Sequence, residues 1–217
     1  MLEKIKAELL PTKTQLIAVS KTKPVEDILA IYNQGQLDFG ENRVQELESK
    51  YDALPKDIRW HLIGHLQTNK VKYIAPFVHL IHSIDREKVL KMVDKEAAKN
   101  ERVIDVLLQF HIAEEDTKFG LNLEEAKQLL ESEDYKQMQN IRICGVMGMA
   151  SFVEDEEQVR GEFRRLRNIF DHLKANYFAD ADAFKEISMG MSGDYQIAVE
   201  EGSTMVRIGS LLFGARY

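Results

Sequence analysis

Short apolar runs alternate with longer amphipathic segments along almost the whole chain, and this rhythm constrains the fold more than any other feature. Eight runs rich in Ile, Val, Leu and Phe stand out, at 16–20, 37–39, 58–63, 78–83, 103–111, 141–147, 184–188 and 205–208. Each has the length and residue content of a buried strand, whereas 25–34, 87–100, 123–131 and 155–176 carry helical periodicity. Pro24 ahead of the first of these helices, and acidic residues in the first turn of the last, are start signals. Alternation of this kind builds parallel sheets from βα units. Eight strands favour a single closed (β/α)8 TIM-type barrel, with six or seven strands in an open, doubly wound sheet as the alternative.

The eighth run is followed by almost no sequence, since the chain ends at Tyr217, and segment 2–10 is expected to cover that side of the barrel. There is no Pro/Gly/Ser-rich linker, low-complexity tract or repeat, so one domain over 1–217 is expected. With 217 residues and 44% hydrophobic content, the chain can bury one substantial core. The net charge of −7, from 29 basic and 36 acidic residues, argues against nucleic acid or an anionic membrane as partner. A single cysteine, Cys144, lies in an apolar run and reads as a small core residue. The start Met1-Leu2-Glu3-Lys4 lacks the apolar core of a signal peptide and no stretch has the length of a membrane span, so a cytoplasmic location is expected.

In such a barrel the reactive groups belong at the C-terminal ends of the strands. The first strand ends in Ser20-Lys21-Thr22-Lys23-Pro24. A lysine there, partly desolvated at the barrel mouth, favours its neutral amine and becomes a nucleophile towards aldehydes. The sequence period does not choose between Lys21 and Lys23. Glycine-containing turns follow the seventh and eighth strands, with Ser192 and Ser210 beside them. Loops at these two places often form a barrel's phosphate site, because glycine lets backbone N–H groups approach an anion. A phosphorylated aldehyde could span the lysine and both loops.

Other motifs lead nowhere. His61 and His65 have a metal-like spacing of four, but on a strand and without the zincin glutamate they read as core or loop histidines. Gly190-Met191-Ser192-Gly193-Asp194 narrowly misses the G-x-S-x-G elbow of serine hydrolases. The acidic run 154–157 reads as a solvated helix start, and Met147, Met149, Met189 and Met191 read as core packing.

Five motifs together, Ala18-Val-Ser-Lys21-Thr-Lys-Pro24, Phe39-Gly-Glu-Asn42, Trp60-His-Leu-Ile-Gly64, Met189-Gly-Met-Ser192 and Val206-Arg-Ile-Gly-Ser210, resemble the pyridoxal phosphate homeostasis protein family. They occur in order and span nearly the entire chain. The resemblance implies a barrel like the N-terminal domain of alanine racemase, with Lys21 holding pyridoxal 5′-phosphate (PLP) as a Schiff base. It implies that Ser192, Gly193, Gly209 and Ser210 hold the phosphate and that Arg207 lies against the pyridine nitrogen. Asn42, His65 and Met191 are then expected in the cofactor site. Two departures put the site's side walls in question: Arg43 stands where an aromatic is expected, and the segment 145–150 is a loose version of the family's Gly-Leu-Met.

An arginine at the pyridine nitrogen stays protonated and offers no acceptor, which makes the ring a poorer electron sink. The related racemases also need a catalytic tyrosine from a further domain, and this chain stops where that domain would begin. The expectation is therefore a monomeric, non-catalytic PLP-binding protein that buffers the cofactor and hands it to PLP-dependent apoenzymes. An amino-acid racemase or Schiff-base lyase is the second reading, and a binding module for another phosphorylated metabolite the third.

Overall fold

The computed structural model describes residues 1–114 and 119–214. Eight parallel strands close into a barrel in sequence order: β1 (Gln15–Val19), β2 (Asp38–Glu41), β3 (Arg59–Leu62), β4 (Leu80–Ile84), β5 (Ile104–His111), β6 (Ile141–Met149), β7 (Glu186–Ser188) and β8 (Met205–Ile208). The open-sheet alternative is thereby excluded. Closure is a regular ladder in which Ile17 of β1 lies opposite Arg207 of β8 and Ala18 opposite Ile208.

The described helices are α1 (Leu2–Leu9), α2 (Val25–Tyr32), α3 (Val44–Ala53), α4 (Val71–Ile74), α5 (Glu87–Lys99), α6 (Leu123–Glu131), α7 (Glu133–Gln137), α8 (Glu156–Asn176), α9 (Tyr195–Glu200) and α10 (Ser210–Phe213). The longest, α8, starts where Asp155 accepts from the N–H groups of Glu157 (3.0 Å) and Gln158 (3.2 Å), and α6 opens with a full capping box between Asn122 and Glu125. Among the described residues, only the single turn of α10 follows β8. The side left bare is covered by α1, which buries Leu2, Ile5 and Leu9 and accepts at Glu8 from the Tyr195 hydroxyl of α9.

Most of the core lies between barrel and helices, where Phe39, Trp60, Leu62, Phe163 and Leu166 are fully buried. A smaller apolar group of Leu80, Leu107, Cys144, Met147 and Met205 packs separately. Burial pushes the Cys144 thiol up to about 12, so at neutral pH it is a protonated, apolar filler, as its surroundings in the sequence indicate.

Candidate functional site at the barrel mouth

Strand alternation aims β1 into the site. Leu16 and Ala18 join the core under the helices, whereas Val19 lines a cavity at the C-terminal ends of the strands, and Lys21 follows two residues on. The cavity has a volume of about 810 Å³, enough for a cofactor-sized ligand. All nine residues expected at the cofactor, Lys21, Asn42, His65, Met191, Ser192, Gly193, Arg207, Gly209 and Ser210, line it.

The lysine's turn is fixed by groups whose role was not evident from the sequence. Buried Lys50 of α3 donates to the Ser20 carbonyl (2.8 Å), to Glu41 Oε1 (2.7 Å) and to Glu46 Oε1 (2.7 Å). Ser20 Oγ donates to the same Glu41 oxygen (2.6 Å), and the Thr22 N–H donates to Glu46 (2.5 Å). Thr22 is thereby held at φ 65°, a left-handed conformation that a β-branched residue rarely takes. Burial pushes the Glu41 carboxyl up despite Lys50, and its second oxygen has no partner among the described residues. Ser20 and Glu41 stand in the motifs that carry the resemblance, but their link to Lys50 shows in the sequence as no more than an i, i+4 Glu46–Lys50 pair, which usually means a solvated helix face.

Lys23 also lines the cavity, but its ammonium donates to the Phe213 carbonyl (2.8 Å) and so ties the first loop to α10. On the adjoining wall, across the β1–β8 closure, the Gly209 N–H donates to Ser192 Oγ (3.3 Å), joining the two glycine turns. Among the described residues, the N–H groups of Ser192, Gly193, Ser210 and Leu211 have no acceptor within the protein, and all four residues line the cavity. A Cβ on Gly193 would meet nothing within 4 Å, so that turn faces open space. Four unspent backbone donors around a gap are the chemistry of an anion cradle.

Arg207 is 4% exposed at the cavity floor, donating to Ser188 Oγ (2.6 Å) and to the Gly148 carbonyl (3.0 Å). Burial lowers the guanidinium to about 10, leaving it charged at neutral pH. Gly64 brings β3's end against β2's, since a Cβ there would come within 2.3 Å of the Asn42 carbonyl, and this contact sets Asn42 at the rim. His65 pairs through Nδ1 with Asp85 (3.1 Å) and packs on Phe119.

Three sequence expectations change. Met149 is 41% exposed and lines the cavity, as does half-buried Met191, so core packing fails for these two, Met191 lying where the resemblance placed it, while Met147 and Met189 are core. Arg43 is exposed at the start of α3 and does not line the cavity. The 145–150 segment serves the site directly, through the Gly148 carbonyl on Arg207. His61 and His65 do not converge. His61 lies wholly buried beside Asp38, which together with His79 brings three ligand-type atoms within 4.8 Å of one another. Asp38 is, however, already engaged by His61 and Arg59.

A closed (β/α)8 barrel with a strand-one lysine, a buried strand-eight arginine and paired glycine turns at its mouth defines a class, and the family model for the alanine racemase N-terminal domain matches residues 2–217. A pyridoxal phosphate homeostasis protein of Aquifex aeolicus is 45% identical over 203 residues, covering 93% of this chain and 87% of the relative. The chain belongs to the pyridoxal phosphate homeostasis protein family. Among solved structures, PipY of Synechococcus elongatus with PLP bound superposes with a TM-score of 0.86 at 34% identity, covering 98% of each chain. The same protein without PLP gives a TM-score of 0.90.

Proposed function

We propose that the chain binds PLP at the barrel mouth, as a Schiff base on Lys21, and carries and buffers the cofactor. The observation that carries this is the convergence on one cavity of a strand-end lysine, a buried guanidinium and four backbone donors without acceptors. These groups suit an aldehyde, a pyridine nitrogen and a phosphate. When bound, PLP supplies an electrophilic aldehyde and a ring that can withdraw electrons. The N–H groups of Ser192, Gly193, Ser210 and Leu211 hold the phosphate, with the Ser192 and Ser210 hydroxyls beside them. Arg207 faces the ring nitrogen as a donor and stays charged, so the ring is held firmly but is poorly activated for carbanion chemistry. Asn42, His65 and Met191 form the side walls.

On this reading the protein works as a cytoplasmic monomer that hands PLP to PLP-dependent apoenzymes. Among the described residues no helix is long and apolar enough to cross a membrane. Purified protein should be yellow, and borohydride reduction followed by peptide mass analysis should place the pyridoxyl group on Lys21. A protein that takes up no PLP, or in which Lys21→Ala is labelled as before, overturns the proposal. Steady turnover of an L-amino acid that disappears in Lys21→Ala would establish the racemase or lyase reading instead.

A further inference from the structure

The inside of a barrel of this kind is ordinarily filled by layers of Val, Ile and Leu. Here a line of polar side chains crosses it. Arg207 Nη1 donates to Ser188 Oγ (2.6 Å), Ser188 Oγ meets His82 Nδ1 (2.9 Å), His82 Nε2 meets His61 Nδ1 (3.0 Å), and His61 Nε2 meets Asp38 Oδ1 (3.0 Å). Ser188, His82 and His61 are 0% exposed. The line begins at the floor of the mouth cavity and ends at Asp38, which pairs with Arg59 where both line a second cavity of about 440 Å³.

Counting protons fixes the order of these bonds. Arg207 can only donate. Asp38 can only accept: burial pushes its carboxyl up, but the hydrogen bonds from His61 and Arg59 outweigh burial and hold it ionised. Burial, reinforced by His61 and Arg207, holds His82 well below the ordinary imidazole value and therefore neutral. With one proton on each bridging group, a single arrangement satisfies every atom. The Ser188 hydroxyl donates to His82 Nδ1, His82 Nε2–H to His61 Nδ1, and His61 Nε2–H to Asp38. A second proton on His61 would reverse the two inner bonds and strand the Ser188 hydroxyl hydrogen beside a cation. Buried polar lines are stable only when complete.

We propose that Ser188, His82 and His61 are positioning residues for the cofactor: their fixed proton order commits the Ser188 hydroxyl hydrogen to His82, leaves Ser188 Oγ accepting from Arg207 alone, and so sets the guanidinium that is presented to the pyridine nitrogen. This rests on the reading that Arg207 meets PLP. Ser188 and His82 do not line the cavity, so they act through Arg207 and not on the ligand.

The test has two parts. In chelator-treated protein without PLP, ¹⁵N NMR of the histidine side chains should show His61 and His82 both as Nε2–H tautomers. An Nδ1–H form, or an imidazolium, at either position overturns the proposal whatever PLP does. With PLP, Ser188→Ala should weaken binding about tenfold and shift the absorption and fluorescence of the bound cofactor, while Ser188→Thr, which keeps the hydroxyl, should restore both. Should Ser188→Ala fail to fold, His61→Phe takes its place, with the same spectral shift expected. Unchanged affinity and spectra in a folded variant overturn the proposal. Arg207→Met separates the two levels: if it binds PLP as the wild type does, the placement of Arg207 fails, whereas a loss in Arg207→Met with none in Ser188→Ala removes only the role of the line.

Discussion

At the scale of single residues, the most exacting feature is the ionic knot behind Lys21. Lys50 is 5% exposed and Glu41 is 0% exposed, so the pair is desolvated, and one Glu41 oxygen already lacks a partner. Replacing Lys50 by Met keeps the aliphatic stem but abandons a buried carboxylate and frees the Ser20 carbonyl. The expected cost is about 3–5 kcal/mol in stability, read from urea denaturation at neutral pH. PLP affinity should fall as well, because the turn that carries Lys21 loses its anchor. A loss below about 1 kcal/mol, in the range of an exposed pair, would show that the knot is slack. Lys21 itself was legible as a strand-end lysine, yet sequence period could not separate it from Lys23. The structure separates them through partners, since Lys23 is drawn to the Phe213 carbonyl. Lys50 was not legible, nor was the role of Glu41 within its motif, because their meaning comes from α3 folding back over the end of β1, a contact between segments some thirty positions apart.

At the scale of elements, the strands were readable because each is a short apolar run between helices, and the runs at 141 and 205 begin where β6 and β8 do. What the pattern cannot carry is register. β6 slips against β5 between Val106 and Leu107, and beside the slip Gly145 sits at φ 155° with its α-carbon turned towards β7. A Cβ there would lie 1.8 Å from the Glu186 carbonyl oxygen. Gly145→Ala must therefore push β6 from β7 and move the Gly148 carbonyl that holds Arg207. We expect a loss above about 3 kcal/mol and weakened PLP binding. Gly161, exposed within α8 with nothing within 4 Å of its would-be Cβ, is the internal control. Gly161→Ala should stabilise by about 0.5–1 kcal/mol. Denaturant midpoints of the two variants that move together, instead of apart, would contradict this account of β6.

At the scale of the whole molecule, the polar line through the barrel couples stability to pH. Burial lowers His82 well below its ordinary 6.5, and burial with neighbouring His61 lowers His79 as well. For a group with a depressed folded value, the unfolded chain takes up the proton first. Stability is thus untouched above 6.5 and falls as pH drops below it, towards the folded value. Asp38, held below its ordinary 3.8, adds a loss of the same sign at still lower pH. Glu41 acts oppositely: raised above 4.5 by burial, it makes the folded state gain stability as pH falls through its folded value. Asp194, also raised by burial, acts as Glu41 does, but both carboxyls are partly compensated, Glu41 by Lys50 and Asp194 by the Met191 N–H and Arg207, so the two depressed imidazoles, one of them fully buried, should win. Between about pH 7.5 and about pH 5 the urea midpoint should fall, as the unfolding free energy drops with a slope approaching about 1.4 kcal/mol per pH unit for each proton taken up. His82→Phe should be less stable at neutral pH and show a shallower slope, since only His79 then titrates in that window with a depressed value. A wild-type midpoint that stays level or rises on acidification would mean that the buried line accepts a proton without strain, and that its order is not what holds the barrel's interior together.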